Sequence, residues 1–228
     1  MLIEVIADTL SDALIAQEAG AGRIELVTGL TEGGLTPGYG VIERVCKELK
    51  IPVNVMIRPH SRGFFYSEED LDIMIQDIKV CNKLGAAGVV LGVLTPDHQV
   101  HNDHLKRLID AAGGLDITFH RAFDEADDQF AALESLKQYP QISRILTSGG
   151  RRSAADAAER LKSLHERTAN SHLKIMAGAG LSIENISVFL DEVPVTEVHF
   201  GTGVRVESSY EHAIDPERVQ KVKKIIGA

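Results

Sequence analysis

The chain has little cysteine, no tryptophan and no long apolar run: two of its 228 residues are Cys, and no apolar stretch approaches the roughly 20 residues of a transmembrane helix. Two cysteines cannot form a disulfide framework, which indicates a reducing cytoplasm. The N-terminus lacks the basic and apolar regions of a signal peptide. The net charge of −9 repels phosphate backbones. We therefore predict a cytoplasmic protein that binds neither membranes nor nucleic acid.

What the sequence does contain is a regular alternation of short aliphatic runs and longer helical patterns. Eight strand-then-helix units follow one another without a Pro/Ser-rich linker, which predicts a single domain over residues 1–228. The strands are predicted at 2–7, 23–28, 52–57, 88–92, 115–120, 143–148, 173–177 and 196–201. The helices are predicted at 9–19, 39–49, 67–84, 101–112, 128–138, 153–168, 182–191 and 215–226.

The side-chain pattern of the strands favours a closed barrel over an open doubly wound sheet. One alternating set is aliphatic, as in Ile24 and Leu26, whereas an open sheet covered on both faces would read as continuous aliphatic runs. No G-x-G-x-x-G follows the first strand. We predict a (β/α)8 TIM-type barrel with the second, polar set inside. That set comprises Glu4, Asp8, Arg23, Glu25, Asn54, Arg58, Thr118, His120, Arg144, Ser148, Lys174, Glu197 and His199.

Four of these charged residues lie early in their strands, at the bottom of the predicted barrel. They are Arg23, Arg144, Lys174 and Glu197. Their mixed signs favour mutual neutralisation over a part in chemistry.

The carboxyl ends of the strands, where barrel enzymes place their chemistry, carry residues suited to an anion. Two arginines and a histidine converge there, and glycine-rich turns offer backbone N–H groups to a phosphate or carboxylate. Alternatively, the glycines only relieve crowding at tight turns. The residues predicted to bind a small anionic ligand are Arg58, Arg121, Asp124, Ser148, Gly149, Gly150, Gly178, Gly180 and Gly201.

Glu25 and His120 are the candidates for acid–base catalysis. A carboxylate and an imidazole at one cavity mouth can share a proton-transfer step near neutral pH. His199 also points inward but is as readily a core histidine, and Glu25 has the alternative of an ion pair with Arg23. The loop 58–66 holds three aromatic residues, which close over a ligand as a lid or form a clasp on the rim.

Metal chemistry has thinner support, and the metal ligands stay unassigned. No C-x-x-C, H-E-x-x-H or EF-hand spacing occurs. Cys46 and Cys81 lie on apolar helix faces and are predicted to be buried, not metal-bound. Met56 and Met176 point inward; thioether with imidazole can hold Cu(I), although Met is also an ordinary core residue.

Six motifs resemble the CutC copper homeostasis family. They are RIEL at 23–26, EGGLTP at 32–37, VMIRP at 55–59, TFHRAFD at 118–124, ILTSGG at 145–150 and IMAG at 175–178. The resemblance implies a TIM-type barrel, a cytoplasmic homo-oligomer and a part in copper handling, with Cu(I) bound through cysteine. Family members often carry Cys where this chain has Ile6 and Val27.

Two functions therefore stand open at this point. The resemblance implies a copper-homeostasis protein that binds or transports Cu(I). The residues at the barrel mouth instead favour an enzyme that acts on a small anionic or phosphorylated metabolite by acid–base chemistry.

Overall fold

The computed structural model describes residues 1–227, which form a closed barrel of eight parallel strands, β1 to β8, hydrogen-bonded in sequence order. The predicted (β/α)8 architecture is confirmed. The strands are β1 (Leu2–Ala7), β2 (Arg23–Leu26), β3 (Val53–Met56), β4 (Gly88–Leu91), β5 (Asp116–Phe119), β6 (Ile142–Thr147), β7 (Lys174–Ala177) and β8 (Glu197–Phe200). The helices are α1 (Leu10–Ala19), α2 (Tyr39–Glu48), α3 (Glu68–Lys83), α4 (Asn102–Ala112), α5 (Gln129–Leu136), α6 (Ala158–Thr168), α7 (Ile186–Glu192) and α8 (Pro216–Ile226).

Local side chains fix where the helices begin. Ser67 and Asp70 form a reciprocal capping box at α3, which satisfies two backbone N–H groups of its first turn. Asp215 caps α8 by accepting two backbone N–H groups, and Pro216 occupies the first helical position, where it removes no hydrogen bond. None of the helices within residues 1–227 combines the length and the apolar character that a membrane crossing requires.

Two helices begin later than their sequence pattern predicts. α6 starts at Ala158 and not near 153, because a 3-10 turn over Ala154–Ala157 comes first. The Ala154 N–H donates to the Ala179 carbonyl of the neighbouring turn, which draws this segment away from helical geometry. α7 starts at Ile186, because the Asn185 side chain bonds the Ser182 N–H and closes a turn before the helix.

The strands separate an apolar layer beneath the helices from a polar interior around the barrel axis. Outward-facing side chains such as Ile24 and Leu26 are completely buried beneath the helices and form the apolar core. The alternate positions turn polar side chains toward the barrel axis, and Glu4, Glu25 and Asn54 are buried there. The predicted register is therefore confirmed, and the apolar layer stabilises the fold from outside the strands.

Eight ionisable side chains form one connected set, which we call the interior ionic network; seven lie in or at the base of the barrel, and the eighth, Lys174, is 57 % exposed. Glu197 accepts from Arg23 at 2.6 Å, from Arg144 at 2.9 Å and from Lys174 at 3.2 Å. The predicted pairing of these four residues is confirmed, but one carboxylate does not balance three cations, and Glu4 and Asp116 supply the remaining negative charges. The complete network comprises Glu4, Arg23, Glu25, Asp116, Arg144, Lys174, Glu197 and His199.

Breaking the network at Glu197 should be costly, because Arg23 and Arg144 would lose their shared buried carboxylate. We expect Glu197→Gln to lower the free energy of unfolding by about 3 to 5 kcal/mol in urea denaturation. The control is Glu48→Gln, which removes an exposed partner of Arg44 and should cost less than about 1 kcal/mol. Equal losses in the two variants would contradict a stabilising network.

Candidate active site

A cavity of about 260 Å³ opens at the carboxyl ends of the strands, above the interior ionic network. It is smaller than the roughly 300 to 1,000 Å³ of sites for drug-sized ligands, so it suits a small metabolite. Its walls contain both apolar and ionisable side chains. The residues that line it are Ile6, Glu25, Leu30, Thr31, Gly33, Met56, Arg58, Phe64, His120, Arg121, Leu146, Ala179, Gly180, Leu181, His199, Gly201, Thr202, Gly203 and Tyr210.

Arg58, which follows β3, is a buried cation without a carboxylate partner. Only 7 % of the residue is exposed, and no carboxylate of residues 1–227 lies within 4 Å of its guanidinium. Its Nη1 donates to the carbonyls of Glu32 and Gly34, while its Nε has no partner among residues 1–227. A buried positive charge with a free donor is costly unless an anion joins it.

His120, which follows β5, has a defined proton position. Its Nδ1 accepts the Ala122 N–H at 3.1 Å, so the ring proton of the neutral form lies on Nε2. Burial and the neighbouring charges of Arg58 and Arg121 lower the pKa of His120 to about 3. The imidazole is therefore neutral at pH 7, and its Nε2–H has no acceptor among residues 1–227.

Phe64 joins these two groups. Its ring centre lies 4.7 Å from the Arg58 guanidinium carbon and 4.9 Å from the centre of the His120 ring. Phe64 is buried and lines the cavity, whereas the next residue, Phe65, is exposed. In this structure the loop 58–66 therefore contributes a wall of the cavity through Phe64.

Glu25, His199 and Glu4 form a chain from the cavity into the barrel. The Nδ1 of His199 lies 2.8 Å from Glu4, and its Nε2 lies 3.8 Å from the Glu25 carboxylate. Burial, opposed by His199, raises the pKa of Glu25 to about 7. Burial also disfavours the imidazolium of His199, but Glu25 and Glu4 outweigh it and raise the pKa of His199. The pair can therefore exchange a proton near neutral pH.

The charge balance of the interior ionic network explains why Glu25 and His199 together hold one proton. The carboxylates of Glu4, Asp116 and Glu197 balance the cations of Arg23, Arg144 and Lys174. The remaining two members, Glu25 and His199, are together neutral when they hold one proton. Because an unbalanced charge inside a barrel is expensive, that proton is retained to a higher pH than an exposed glutamic acid would retain it.

The turns after β7 and β8 form one end of the cavity, which we call the cup and define by residues 179–181 and 202–203. The N–H groups of these five residues make no hydrogen bond within residues 1–227, and all five residues line the cavity. Ala179 adopts the left-handed region at φ 74°, a strained conformation for a residue with a side chain. At Gly203 a side chain would collide with the Leu181 carbonyl, so only glycine permits the two turns to approach.

The predicted anion turn after β6 has a different environment. Both carboxylate oxygens of Asp124 face it and accept the N–H groups of Ser148 and Gly150, and the Gly149 N–H donates to the Thr147 hydroxyl. These donors are therefore satisfied internally. Asp124 also pairs with Arg121 at 2.8 Å, which neutralises the second predicted arginine.

The predicted site residues therefore divide into two groups. Glu25, Arg58, His120, Gly180 and Gly201 line one cavity together with Arg121. The others, Asp124, Ser148, Gly149, Gly150 and Gly178, do not line that cavity.

Two features of this site were not predicted from the sequence. Glu4 was placed in the interior without a role, because its neighbour His199 is 195 positions away and comes near only when β8 closes on β1. Tyr210 lies in the segment after β8, and its hydroxyl packs against Gly201 so closely that no side chain fits there. No spacing pattern in the sequence predicts that Tyr210 lies at this cavity. The turn that begins at Gly201, by contrast, was among the glycine-rich turns predicted to offer backbone N–H groups to an anion.

The residues present do not fit a Cu(I) site. Cys81 is buried and Cys46 half-buried in the outer apolar layer, and burial raises the pKa of their thiols to about 12 and about 11. Met176 accepts a hydrogen bond from Arg23. Among residues 1–227, the one group of three imidazole, thiol or carboxylate side chains close enough to share a metal ion is Glu4, Glu25 and His199. Oxygen and imidazole donors do not select Cu(I), which prefers sulfur.

The pKa of Glu25 has a measurable effect on stability. Because the folded state holds this proton more tightly, its stabilising contribution is present below about pH 4.5 and is lost as the pH rises through about 7. We expect Glu25→Gln to be more stable than the parent protein at pH 8, by on the order of 1 to 3 kcal/mol, and similar to it at pH 5. Urea denaturation across this range measures the difference. Parallel pH curves for the two proteins would contradict the raised pKa.

This fold and cavity define the class of the protein: a TIM-type barrel with an ionisable pocket at the carboxyl ends of its strands. Comparison with known proteins identifies its family. The CutC family profile matches residues 1–204. A CutC family protein of Pasteurella multocida is 39 % identical over 214 residues, covering 93 % of this chain and 87 % of that protein. One from Xylella fastidiosa is 44 % identical over 184 residues, covering 81 % and 68 %. The chain belongs to the CutC family.

One solved structure agrees with this placement, and a second shares only the fold. CutC from Streptococcus agalactiae, whose copper homeostasis name is provisional, superposes with a TM-score of 0.81 at 33 % identity, covering 88 % of this chain and 98 % of that one. Phosphoribosyl anthranilate isomerase from Thermotoga maritima has a TM-score of 0.68 at 16 % identity over the full length of both chains. The second likeness shows the barrel fold alone.

Proposed function

We propose that this protein is an enzyme that binds a small phosphorylated metabolite in the barrel cavity and transfers a proton through Glu25. The observation that carries the proposal is the buried Arg58, which has no carboxylate partner and lines the same cavity as a buried carboxylate titrating near neutral pH. A cavity that holds a fixed positive charge and a poised base is suited to acid–base chemistry on an anion.

Two sets of donors support an anionic ligand. The cup of residues 179–181 and 202–203 offers free N–H groups after β7 and β8, the usual place for phosphate in this fold. Arg58 and His120 line the same cavity from the ends of β3 and β5, across the barrel mouth, and their Nε–H and Nε2–H are buried without a partner among residues 1–227. A ligand with a phosphate at one end and another oxygen at the other would satisfy both sets.

The two candidate catalytic residues take different parts in this proposal. Glu25 exchanges the proton, because its Oε1 is buried without a partner and its pKa lies near 7. His120 has its proton fixed on Nε2 and stays neutral, so it donates a hydrogen bond to the ligand and does not act as the base.

Copper handling is the other function that the family resemblance implies. The residues that line this cavity do not assemble sulfur ligands: the family's frequent cysteine positions hold Ile6 and Val27, which pack in an apolar cluster with Met56. The nitrogen donors of the cavity therefore favour an enzyme that binds an anion over a copper-binding protein. Cytoplasmic location, a homo-oligomeric state and Cu(I) binding stay predictions for this chain.

Phosphate binding tests the proposal directly. We expect inorganic phosphate to bind the protein in a calorimetric or NMR titration, and Arg58→Gln to weaken it about 10-fold or more, because the variant removes the unpaired charge. Arg62→Gln is the matched control. Arg62 is exposed on the same loop and does not line the cavity, so its loss should leave affinity nearly unchanged.

A crystal grown with sulfate gives an independent readout that does not depend on the stability of the Arg58 variant. Sulfate beside Arg58 or on the cup of residues 179–181 and 202–203 would support the proposal. Ordered sulfate only elsewhere, with no phosphate binding in solution, would overturn it. Tight stoichiometric Cu(I) binding against a competing chelator, without phosphate binding, would favour copper handling instead.

A further inference from the structure

The tautomer of His120 restricts what this residue can do. Its Nδ1 lone pair is occupied by the Ala122 N–H, so the ring has no free acceptor. Its Nε2–H is a donor without a partner among residues 1–227, and the residue is 97 % buried on the cavity wall. A buried donor without a partner is costly, so an oxygen acceptor on a ligand would stabilise it, and a neutral imidazole can polarise a carbonyl group without giving up its proton.

Arg58 supplies a second free donor on the same wall. Its Nε–H has no partner among residues 1–227, and Phe64 contacts both the guanidinium and the His120 ring. Burial beside this apolar ring lowers the local dielectric, which strengthens the interaction of both groups with a ligand oxygen. One neutral donor and one cationic donor suit an oxygen on which negative charge develops.

Glu25 lies on β2 and supplies the other half of the arrangement. Glu25 lines the same cavity, and its Oε1 is buried and accepts no hydrogen bond from residues 1–227. The second oxygen is 3.8 Å from His199, whose other nitrogen Glu4 holds at 2.8 Å. A buried carboxylate with an unpaired oxygen beside a small cavity can act as a base toward a bound ligand, with His199 as its proton-sharing partner.

Resting on the proposed function, we propose that the site enolises a short hydroxy-carbonyl phosphate, with Glu25 as the base and with His120 and Arg58 as donors to the carbonyl oxygen. The cup of residues 179–181 and 202–203 holds the phosphate at the opposite side of the mouth. Proton abstraction next to a carbonyl needs a base, an oxyanion site and an anchor, and the three lie in one cavity of about 260 Å³.

The step balances without a further reactant. Glu25 takes the proton from the carbon beside the carbonyl, and the C–H electron pair forms the carbon–carbon double bond. The carbonyl π pair moves to oxygen, where the His120 Nε2–H and the Arg58 Nε–H stabilise the enediolate. Glu25 exchanges the abstracted proton with solvent and returns a proton to the same carbon, the carbon–carbon double-bond pair forms the new C–H bond, and the carbonyl is restored, so that the net reaction is hydrogen exchange beside the carbonyl.

An enediolate mimic distinguishes this reaction from simple phosphate binding. We expect phosphoglycolohydroxamate to bind roughly 100-fold more tightly than glycerol 3-phosphate, which has a similar size but no planar oxyanion. His120→Gln should remove most of that difference while glycerol 3-phosphate affinity changes little. Arg62→Gln should preserve it, because that side chain does not line the cavity.

The outcomes separate the two proposals. Equal affinity for the mimic and for glycerol 3-phosphate, with phosphate binding intact, would overturn enolisation and leave the proposed function standing. Failure to bind inorganic phosphate would overturn both. A mimic that binds tightly to the parent protein and equally tightly to His120→Gln would overturn the role of His120.

Deuterium exchange tests the base. In D2O, we expect the protein to incorporate deuterium beside the carbonyl of dihydroxyacetone phosphate, followed by proton NMR, at a rate well above the rate without protein. Glu25→Gln should return the rate to background, whereas Arg62→Gln should exchange as the parent protein does. A parent protein at background would overturn the proposed reaction.

Discussion

Charge balance inside a closed barrel is the constraint on which the rest of this structure depends. Parallel strands turn alternate side chains toward an axis that holds no bulk water, so every charge there needs a partner. Arg23 and Glu197 meet this need across the barrel, from β2 and β8. The network joins side chains from several strands. The protonation of its members therefore affects how strongly those strands are held together.

The candidate site contains the two members of the network whose protonation can change near neutral pH. Glu25 and His199 are neutral together with one proton, and they lie between the fixed charges below and the open cavity above. Arg58 has no carboxylate partner among residues 1–227 and lies on the same wall as the neutral His120. The barrel thus combines a mobile proton with fixed donors, which is the arrangement that proton transfer on an anionic ligand requires.

The fold could be predicted from the sequence because alternation with a period of two reports directly which face of a strand is buried. The site could be predicted only in part. Spacing placed Asp124 and Ser148 at the mouth but could not reveal that Asp124 already accepts the N–H groups of Ser148 and Gly150. The link from Glu4 to His199 joins the first strand to the last, and such a contact exists only after the barrel closes.

The most direct measurement is a carbon-13 NMR titration of the Glu25 carboxyl carbon in the full-length protein. The account predicts that this carboxyl titrates with an apparent pKa near 7, because burial and the balanced network retain its proton. A midpoint near 4.5, the ordinary value for glutamic acid, would contradict the account, since Glu25 would then carry no exchangeable proton at neutral pH.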